Sequence, residues 1–471
     1  MDFQPVLLWT DLLFFALLLV GVATVLHVRA SEPLRAAWRK VGRRPTGMAA
    51  ATVLLAFLLV GVVDSLHFRP QLPAVEGAAA DAPAVYSSDV LSALDVLLEP
   101  LRTRTEKTYS APFADTLYVR ETVELPEGGQ ARIHPRLVWG AAHLADPETE
   151  RAGDVAARAA VGAVGGALLW LLPVMLVAVG VSRRAQLSLG VALGKLVRGD
   201  TVLAWRAALA TLGAILVLGG IVAALAPVYH VFGTDKVGQD VLYLALKSVR
   251  TALVIGTLTT LVMLPFAVAL GVMAGYLGGW VDDAIQYLYT VLNAIPGVLL
   301  IAAAVLMMQV VIDTHPQWFA TAAERADARL LALCLILGIT SWTGLCRLLR
   351  GETLKLRELE YVQAARAFGV RTPAILRRHV LPNVMHIVLI ALVMDFSGLV
   401  LAEAVLSYIG IGVDPTMISF GTMINMARAE LAREPMVWWS LAAAFCFMFV
   451  LVLAANLFAD VVRDAFDPRR G

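Results

Sequence analysis

Few residues in this chain are placed to do covalent chemistry. Gly190-Val191-Ala192-Leu193-Gly194-Lys195-Leu196 has the outline of a phosphate-binding loop. Three residues rather than four separate its glycines, and Leu196 stands where a hydroxyl should follow the lysine. It is not a Walker motif, so the chain is not expected to hydrolyse ATP itself. Cys334 and Cys446 fall inside apolar runs and Cys346 near the end of one, with no disulfide or metal-ligand spacing. No nucleophile and base form a cluster, which argues against an enzyme. Two carboxylates stand out by position, Asp395 and Glu403, both in the apolar run that begins near Val384. About 11 residues into that run, Asp395 would lie roughly 17 Å deep, near mid-bilayer. An acid there either lines a substrate path or pairs inside a helix bundle.

One polar stretch between apolar runs reads as helix, turn, helix. Leu356 to Phe368 is rich in helix formers whose charges can face water. Gly369 suits the left-handed residue that ends such a helix. Thr372 suits an N-cap, with Pro373 at the first helical position. The second helix, towards Val380, carries Arg377, Arg378 and His379, and Pro382 is expected to stop or kink it. Ala364 and Ala365 have almost no side chain, so another surface can approach closely. The stretch suits docking into a groove of a soluble partner, or else it merely joins two spans.

Two further motifs are local. In Gly233-Thr234-Asp235-Lys236-Val237-Gly238-Gln239-Asp240, Thr234 and Asp235 suit a turn, Gly238 a positive φ, and Asp240 a cap for a helix beginning at Val241. Pro296, within an apolar run, frees a backbone carbonyl and bends its helix, as a pore-lining helix or a packing kink requires.

The elements that hold these residues are membrane spans. The chain has 471 residues, 59% of them hydrophobic, with a mean hydropathy of +0.75. Apolar runs of roughly 20 residues recur, which makes it a polytopic helical membrane protein. A formal net charge of +1 gives no sign of nucleic-acid binding. Nine spans are expected, at about 6–28, 47–67, 159–181, 204–228, 249–275, 285–312, 328–348, 384–408 and 437–459. The start lacks the basic region of a secretory signal, and the first run is followed by Arg29, Arg35, Arg39, Lys40, Arg43 and Arg44. Keeping that cluster in the cytoplasm puts the N-terminus outside. The loops 182–203 and 349–383, also basic, then fall inside, and so does the C-terminus.

The segment from Arg69 to about Arg158 falls outside as a small α+β insertion. It opens with a Pro/Ala/Gly-rich tether from Arg69 to Pro83. Ser88 is expected to cap a helix from Asp89 to Glu99 that Pro100 ends. Thr116 to Leu125 and Ala131 to Trp139 are expected as a hairpin around Pro126-Glu127-Gly128-Gly129.

Ala364-Ala365-x3-Gly369, followed by Leu381-Pro382, resembles the cytoplasmic "EAA" loop of ABC-importer permeases. The flanking words Tyr361-Val362-Gln363-Ala364-Ala365-Arg366-Ala367-Phe368-Gly369 and Arg378-His379-Val380-Leu381-Pro382-Asn383 are similar to the dipeptide/oligopeptide branch. Gln363 replaces that family's first acidic residue, and His379 stands where many members have Ile. The Gly233–Asp240 stretch resembles the family's external Gly-Thr-Asp-x-x-Gly-Arg-Asp signature, with Gln239 for Arg. Gly275-Tyr276-Leu277-Gly278-Gly279-Trp280-Val281-Asp282-Asp283 resembles its cytoplasmic turn between the second and third core spans, and Pro296 matches a family position. Glu403 lies in Ala402–Gly412, similar to a signature near the outer end, and Val462 to Arg469 resembles the branch's C-terminal ending.

The resemblance covers about residues 200–471 and implies the following expectations. The fold is an all-α polytopic membrane protein of about nine transmembrane helices. A six-helix permease core, 204–471, follows two N-terminal spans (1–68), the periplasmic insertion (69–158), and an extra span with its cytoplasmic loop (159–203). Tyr361, Gln363, Ala364, Ala365, Gly369, Leu381 and Pro382 form the ATPase-coupling loop. Gly233, Thr234, Asp235, Gly238 and Asp240 lie at the external gate and binding-protein side. Pro296 and Glu403 are candidates for the translocation path, and Asp395, which matches no family position, joins them by its depth alone. The partners implied are a second homologous permease, two ATPase subunits that bind ATP and Mg, a periplasmic substrate-binding protein and the lipid bilayer. No cofactor is expected on this chain. The implied cargo is di- or oligopeptides, with peptide antibiotics or nickel complexes as substrate alternatives. An ion-coupled carrier or channel is the alternative class, but the repeated half-structures or paired intramembrane charges it should show are not found.

Overall fold

In a bilayer every backbone polar group must be satisfied within the protein, so apolar runs of spanning length become helices. The computed structural model describes residues 3–72, 85–124, 130–319 and 321–466. Among these residues nine helices are long and apolar enough to cross a membrane: Trp9–Ala30, Pro45–Asp64, Pro147–Ala185, Trp205–Leu225, Val241–Leu277, Gly297–Thr314, Ala322–Arg357, Thr372–Ile409 and Trp439–Phe466. Each answers to one expected run. The protein is an all-α polytopic membrane protein.

Four local expectations in the core are corrected. The run 285–312 is not one helix, because Gly279–Ala294 ends before Pro296 and Gly297–Thr314 begins after it. The ring of Pro296 disfavours helical backbone at the residue before it, and Ile295 is extended at φ −89°, ψ 130°. The polar helix is also divided: Thr343–Arg357 stops, and Glu360–Ala367 starts afresh from an extended Leu359. Beyond the turn, Arg371 rather than Thr372 is the N-cap, and no side chain caps the helix. Pro382 does not stop the chain's helical course. A π-turn, Leu376–Val380, precedes Leu381–Ile409 with Pro382 in its first turn. Widening that turn relieves the clash a proline makes with the preceding one.

The insertion is likewise more tightly organised than a tether and a cap. His67–Pro70, partly assigned to the tether, is a strand that pairs antiparallel with Phe3–Val6 and with Leu91–Ser92. Ser92, not Ser88, caps the helix Ala93–Leu97, exchanging hydrogen bonds with Asp95 in a capping box. Pro100 lies in the first turn of a second helix, Glu99–Thr103, and ends nothing. The hairpin forms over Glu121–Glu124 and Gln130–Ile133, shorter than expected, with an isolated bridge at Thr116 and Arg136. Its turn, 126–129, most of the tether, and 467–469 lie outside the described residues.

The chain divides into two compact units. One comprises Met1–Val6, Trp38–Thr251 and Ile418–Phe458. In it Pro147–Ala185 and Trp205–Leu225 approach so closely that a Cβ on Gly162 or Gly166 would strike the backbone at Gly220 or Leu216. Small residues four apart allow this approach, and Trp170 seals it by donating from Nε1 to the Leu209 carbonyl at 2.7 Å. The other unit comprises Leu7–Ala37, Ala252–Met417 and Ala459–Gly471. There the first span meets the Ala322–Ser341 helix, with the backbone N–H and hydroxyl of Thr10 donating to Asp327. A continuous apolar core joins Met263, Val272, Tyr276, Cys346 and Leu349 to Val362, Ile375, Val380 and Val384.

Candidate functional site

The polar loop is a short helix whose two sides differ. Val362, 2% exposed, and the half-buried Ala365 reach into the apolar core, as do Ile375 and Val380 beyond the turn. Phe368, at 87%, stands in the open, and Tyr361 and Leu359 are also exposed. These apolar side chains stand beside the exposed Arg366, Arg377 and Arg378. Gly369 has φ +74°, and its turn closes with Val370 N–H donating to the Ala365 carbonyl at 3.1 Å. This is the Schellman type of ending, which requires a left-handed residue.

The rest of the loop is tied internally. Asn383 Nδ2 donates to the Tyr361 hydroxyl at 3.2 Å and to the His379 carbonyl at 2.6 Å, so the two helices are stitched across the turn. Gln363 turns back and donates to the carbonyl and side chain of Glu358, both at 3.3 Å. Leu381 packs against the core and Pro382 is exposed. A brace that sequence reasoning missed lies just upstream. Arg350 holds Asp282 through two hydrogen bonds of 2.6 and 2.7 Å. Asp282 follows the Gly278-Gly279 turn, in which both glycines have positive φ. A Cβ on Gly275 would collide with Thr353 and the Arg350 carbonyl. The Gly278-Gly279 turn is thereby fixed to the helix that leads into the polar loop.

The Gly233–Asp240 turn forms as its residues require. Gly233 and Gly238 have φ +70° and +78°. Asp235 Oδ1 accepts from the N–H groups of Val237 and Gln239, and Asp240 Oδ1 caps the next helix by accepting from Leu242 N–H at 2.8 Å. Thr234 and Asp240 are fully buried under the insertion. Ser110 N–H donates to Thr234 Oγ1, Thr234 N–H to the Ser110 carbonyl, and Glu106 N–H to the Gly238 carbonyl. Trp439 Nε1 donates to the Thr234 carbonyl at 2.9 Å, with Tyr118 edge-on to its ring. Only Lys236 and Val237, at the tip, remain exposed.

Two buried charge clusters hold that cover in place. Glu106 accepts from the N–H groups of Val138, Trp139 and Gly140 and faces His230, whose other nitrogen meets Asp240. Burial opposes charge on both groups, yet these bonds outweigh it. Glu106 is held down to about 2 and His230 is pushed up to about 9. Nearby, Lys247 Nζ donates to Asp64 at 2.7 Å and to Asp95 and Ser92, and Tyr243 donates to Asp95 at 2.7 Å. Lys247 carried a readable signal, since a cation at the start of an apolar helix must find a partner. Glu106 and His230 carried none.

The three path candidates do not form one cluster. Pro296 marks the helix break and is exposed. Glu403, 2% exposed, accepts from Ser407 Oγ at 2.6 Å, and Ser407 in turn accepts from Val413 N–H, so Glu403 secures the helix end near Gly410. Asp395, about 12 Å along the same helix, is half-buried and makes no hydrogen bond or ion pair among the described residues. No group of His, Cys, Asp and Glu among the described residues is arranged to hold a metal.

Residues 267–471 match the family described as binding-protein-dependent transport system inner membrane component. The chain is 33% identical over 239 residues to the oligopeptide transport system permease protein OppC of Mycobacterium tuberculosis, covering 51% of this chain and 76% of that protein. It is 33% identical over 242 residues to the glutathione transport system permease protein GsiD of Pectobacterium atrosepticum, covering 51% and 73%. The dipeptide transport system permease protein DppC of Bacillus subtilis is 28% identical over 240 residues, covering 51% and 69%.

Proposed function

This chain belongs to the binding-protein-dependent transport system inner membrane components, and from that premise we propose that it is an ABC-importer permease subunit moving peptides into the cytoplasm. It is a multi-pass membrane transporter subunit rather than an enzyme. The peptide cargo is supported by what its relatives carry, oligopeptides, dipeptides and glutathione. In this reading a second homologous permease completes the path and a periplasmic binding protein delivers the cargo. Two partner ATPase subunits bind ATP and Mg, and they close against the polar loop.

The observation that carries the coupling role is the two-sided helix Glu360–Ala367. Its exposed edge, Tyr361 and Phe368, offers a partner apolar contact, while Val362 and Ala365 are locked in the core beside Ile375 and Val380. A push on that edge is passed to Leu381–Ile409 rather than absorbed in a loose loop. Purification of the full chain from its own cells tests this. An ATPase should copurify with the native chain and be lost with Phe368→Asp. Retention in the variant, or uptake that continues without ATP, removes the assignment. Uptake of labelled peptides of graded length by a deletion strain, with and without this gene, tests the cargo.

The N-terminus is assigned to the periplasm and the C-terminus to the cytoplasm. Support comes from the basic loops and from the pairing of Phe3–Val6 with His67–Pro70, which returns the chain to its starting side after two spans. A reporter active only in the periplasm should work near Gly128 and fail near Arg43, Lys195 or Arg366. Activity at Arg366 would reverse the orientation.

A further inference from the structure

Within the first unit, two basic segments meet at the end of the spans away from the insertion. Ala204 N–H donates to the Gly42 carbonyl at 2.8 Å, and the Leu203 side chain lies against Gly42, where a Cβ would obstruct it. This joins Arg43 and Arg44 to the loop after the helix Leu189–Arg198. That helix lies across the ends of two spans, with Leu193 and Leu196 packed on Ala178, Val181, Trp205 and Leu209. Its outer side carries Lys195 and Arg198 next to Val191 and Val197, which are 49% and 74% exposed. Arg183 and Arg184, just before it, are exposed as well.

None of these six cations has an ion-pair partner among the described residues. Asp200 is the single acid between Arg183 and Arg206, and there is none between Glu32 and Asp64. Six cations gathered with a single acid among them repel one another, and exposed valines beside them gain nothing from water. A bilayer surface resolves both: its acyl boundary covers the valines and its phosphates neutralise the cations. We propose that this junction is a binding site for the headgroups of anionic phospholipids, seating the spans that meet there on a negatively charged leaflet. The site uses none of the residues of the polar coupling loop and does not depend on the cargo.

The test uses the purified full-length chain in phosphatidylcholine nanodiscs containing trace fluorescent phosphatidylglycerol. The native chain should enrich phosphatidylglycerol over fluorescent phosphatidylcholine at least tenfold, and raised salt should weaken the enrichment. Lys195→Ala/Arg198→Ala and, independently, Arg43→Ala/Arg44→Ala should each lower it by about tenfold, towards equal retention of the two lipids. Lys107→Ala/Lys236→Ala, on the insertion side, should leave it unchanged. Equal retention of both lipids by the native chain overturns the proposal without recourse to any variant. So does equal loss in the insertion-side variant, or no loss in either junction variant. Displacement by inorganic phosphate would make the junction a free-anion site and also overturn it.

Discussion

The imidazole of His230 meets the carboxylate of Asp240 at 2.8 Å, and Asp240 is the residue that caps the helix beginning at Val241. His230 thereby ties the signature turn to Glu106, the anchor of the insertion.

This tie has a pH dependence. His230 is raised from 6.5 to about 9, so its contribution is complete below pH 6.5 and is lost as pH rises through about 9. Glu106 is lowered from 4.5 to about 2, so its contribution is complete above pH 4.5 and is lost as pH falls through about 2. Thermal unfolding of the full chain should therefore show a plateau between these inner limits and a decline towards pH 9. Glu106→Gln should destabilise by about 3 kcal/mol or more, since it leaves a buried charge short of a partner. The alkaline decline should also begin at lower pH. An unchanged midpoint and profile would show that the triad does not hold the cover.

At Gly369 a Cβ would meet nothing within 4 Å, so the penalty of substitution is conformational. Gly369→Val at φ +74° should cost roughly 1–2 kcal/mol if the turn is kept, or else tilt the exposed edge. Substrate-stimulated ATP hydrolysis by the assembled importer should fall while membrane insertion survives. Gly369→Asn, which tolerates the left-handed region, should retain most of the activity. Native transport by the Val variant with its ATPase still bound would end the coupling assignment.

The Arg350–Asp282 pair should act as a brace. Asp282→Asn removes a charge-assisted, two-point contact of about 1.5–3 kcal/mol. Coupling between uptake and ATP hydrolysis should loosen, with excess hydrolysis per peptide moved. The exchange Asp282→Arg/Arg350→Asp should recover part of it. If the exchange is no better than the single changes, charge pairing is not what the brace contributes.

Asp395 lies near mid-span with no partner among the described residues, a position in which a carboxylate should face the bundle or the path rather than lipid. Asp395→Asn keeps the volume and removes the charge. Assembly and basal ATPase activity should be normal, with slower uptake of peptides bearing a free amino terminus and a smaller effect on N-blocked ones. Equal slowing of both would leave Asp395 a structural acid.

The sequence by itself determined what a few neighbouring residues can decide. The spans follow from hydropathy, because a long apolar run in lipid has no backbone alternative to a helix. Gly369, Gly238 and the Asp240 cap are equally legible, since φ preference and capping act within four residues. Even the local misreadings were resolved locally: Ser92 displaced Ser88 because Asp95 stood three residues on, and Pro296 broke its helix through the residue before it. Tertiary structure decided which charges meet. Glu106 and His230 are 124 residues apart, Lys247 and Asp64 183, and Arg350 and Asp282 68. Apart from Lys247, whose place in an apolar helix calls for a partner without naming it, each is an ordinary charged residue in its own stretch, and only the chain's return through the bilayer brings the two together. For the same reason the turn that reads as an external surface is buried. Thr234 meets Ser110 because an insertion more than a hundred residues upstream folds back over it.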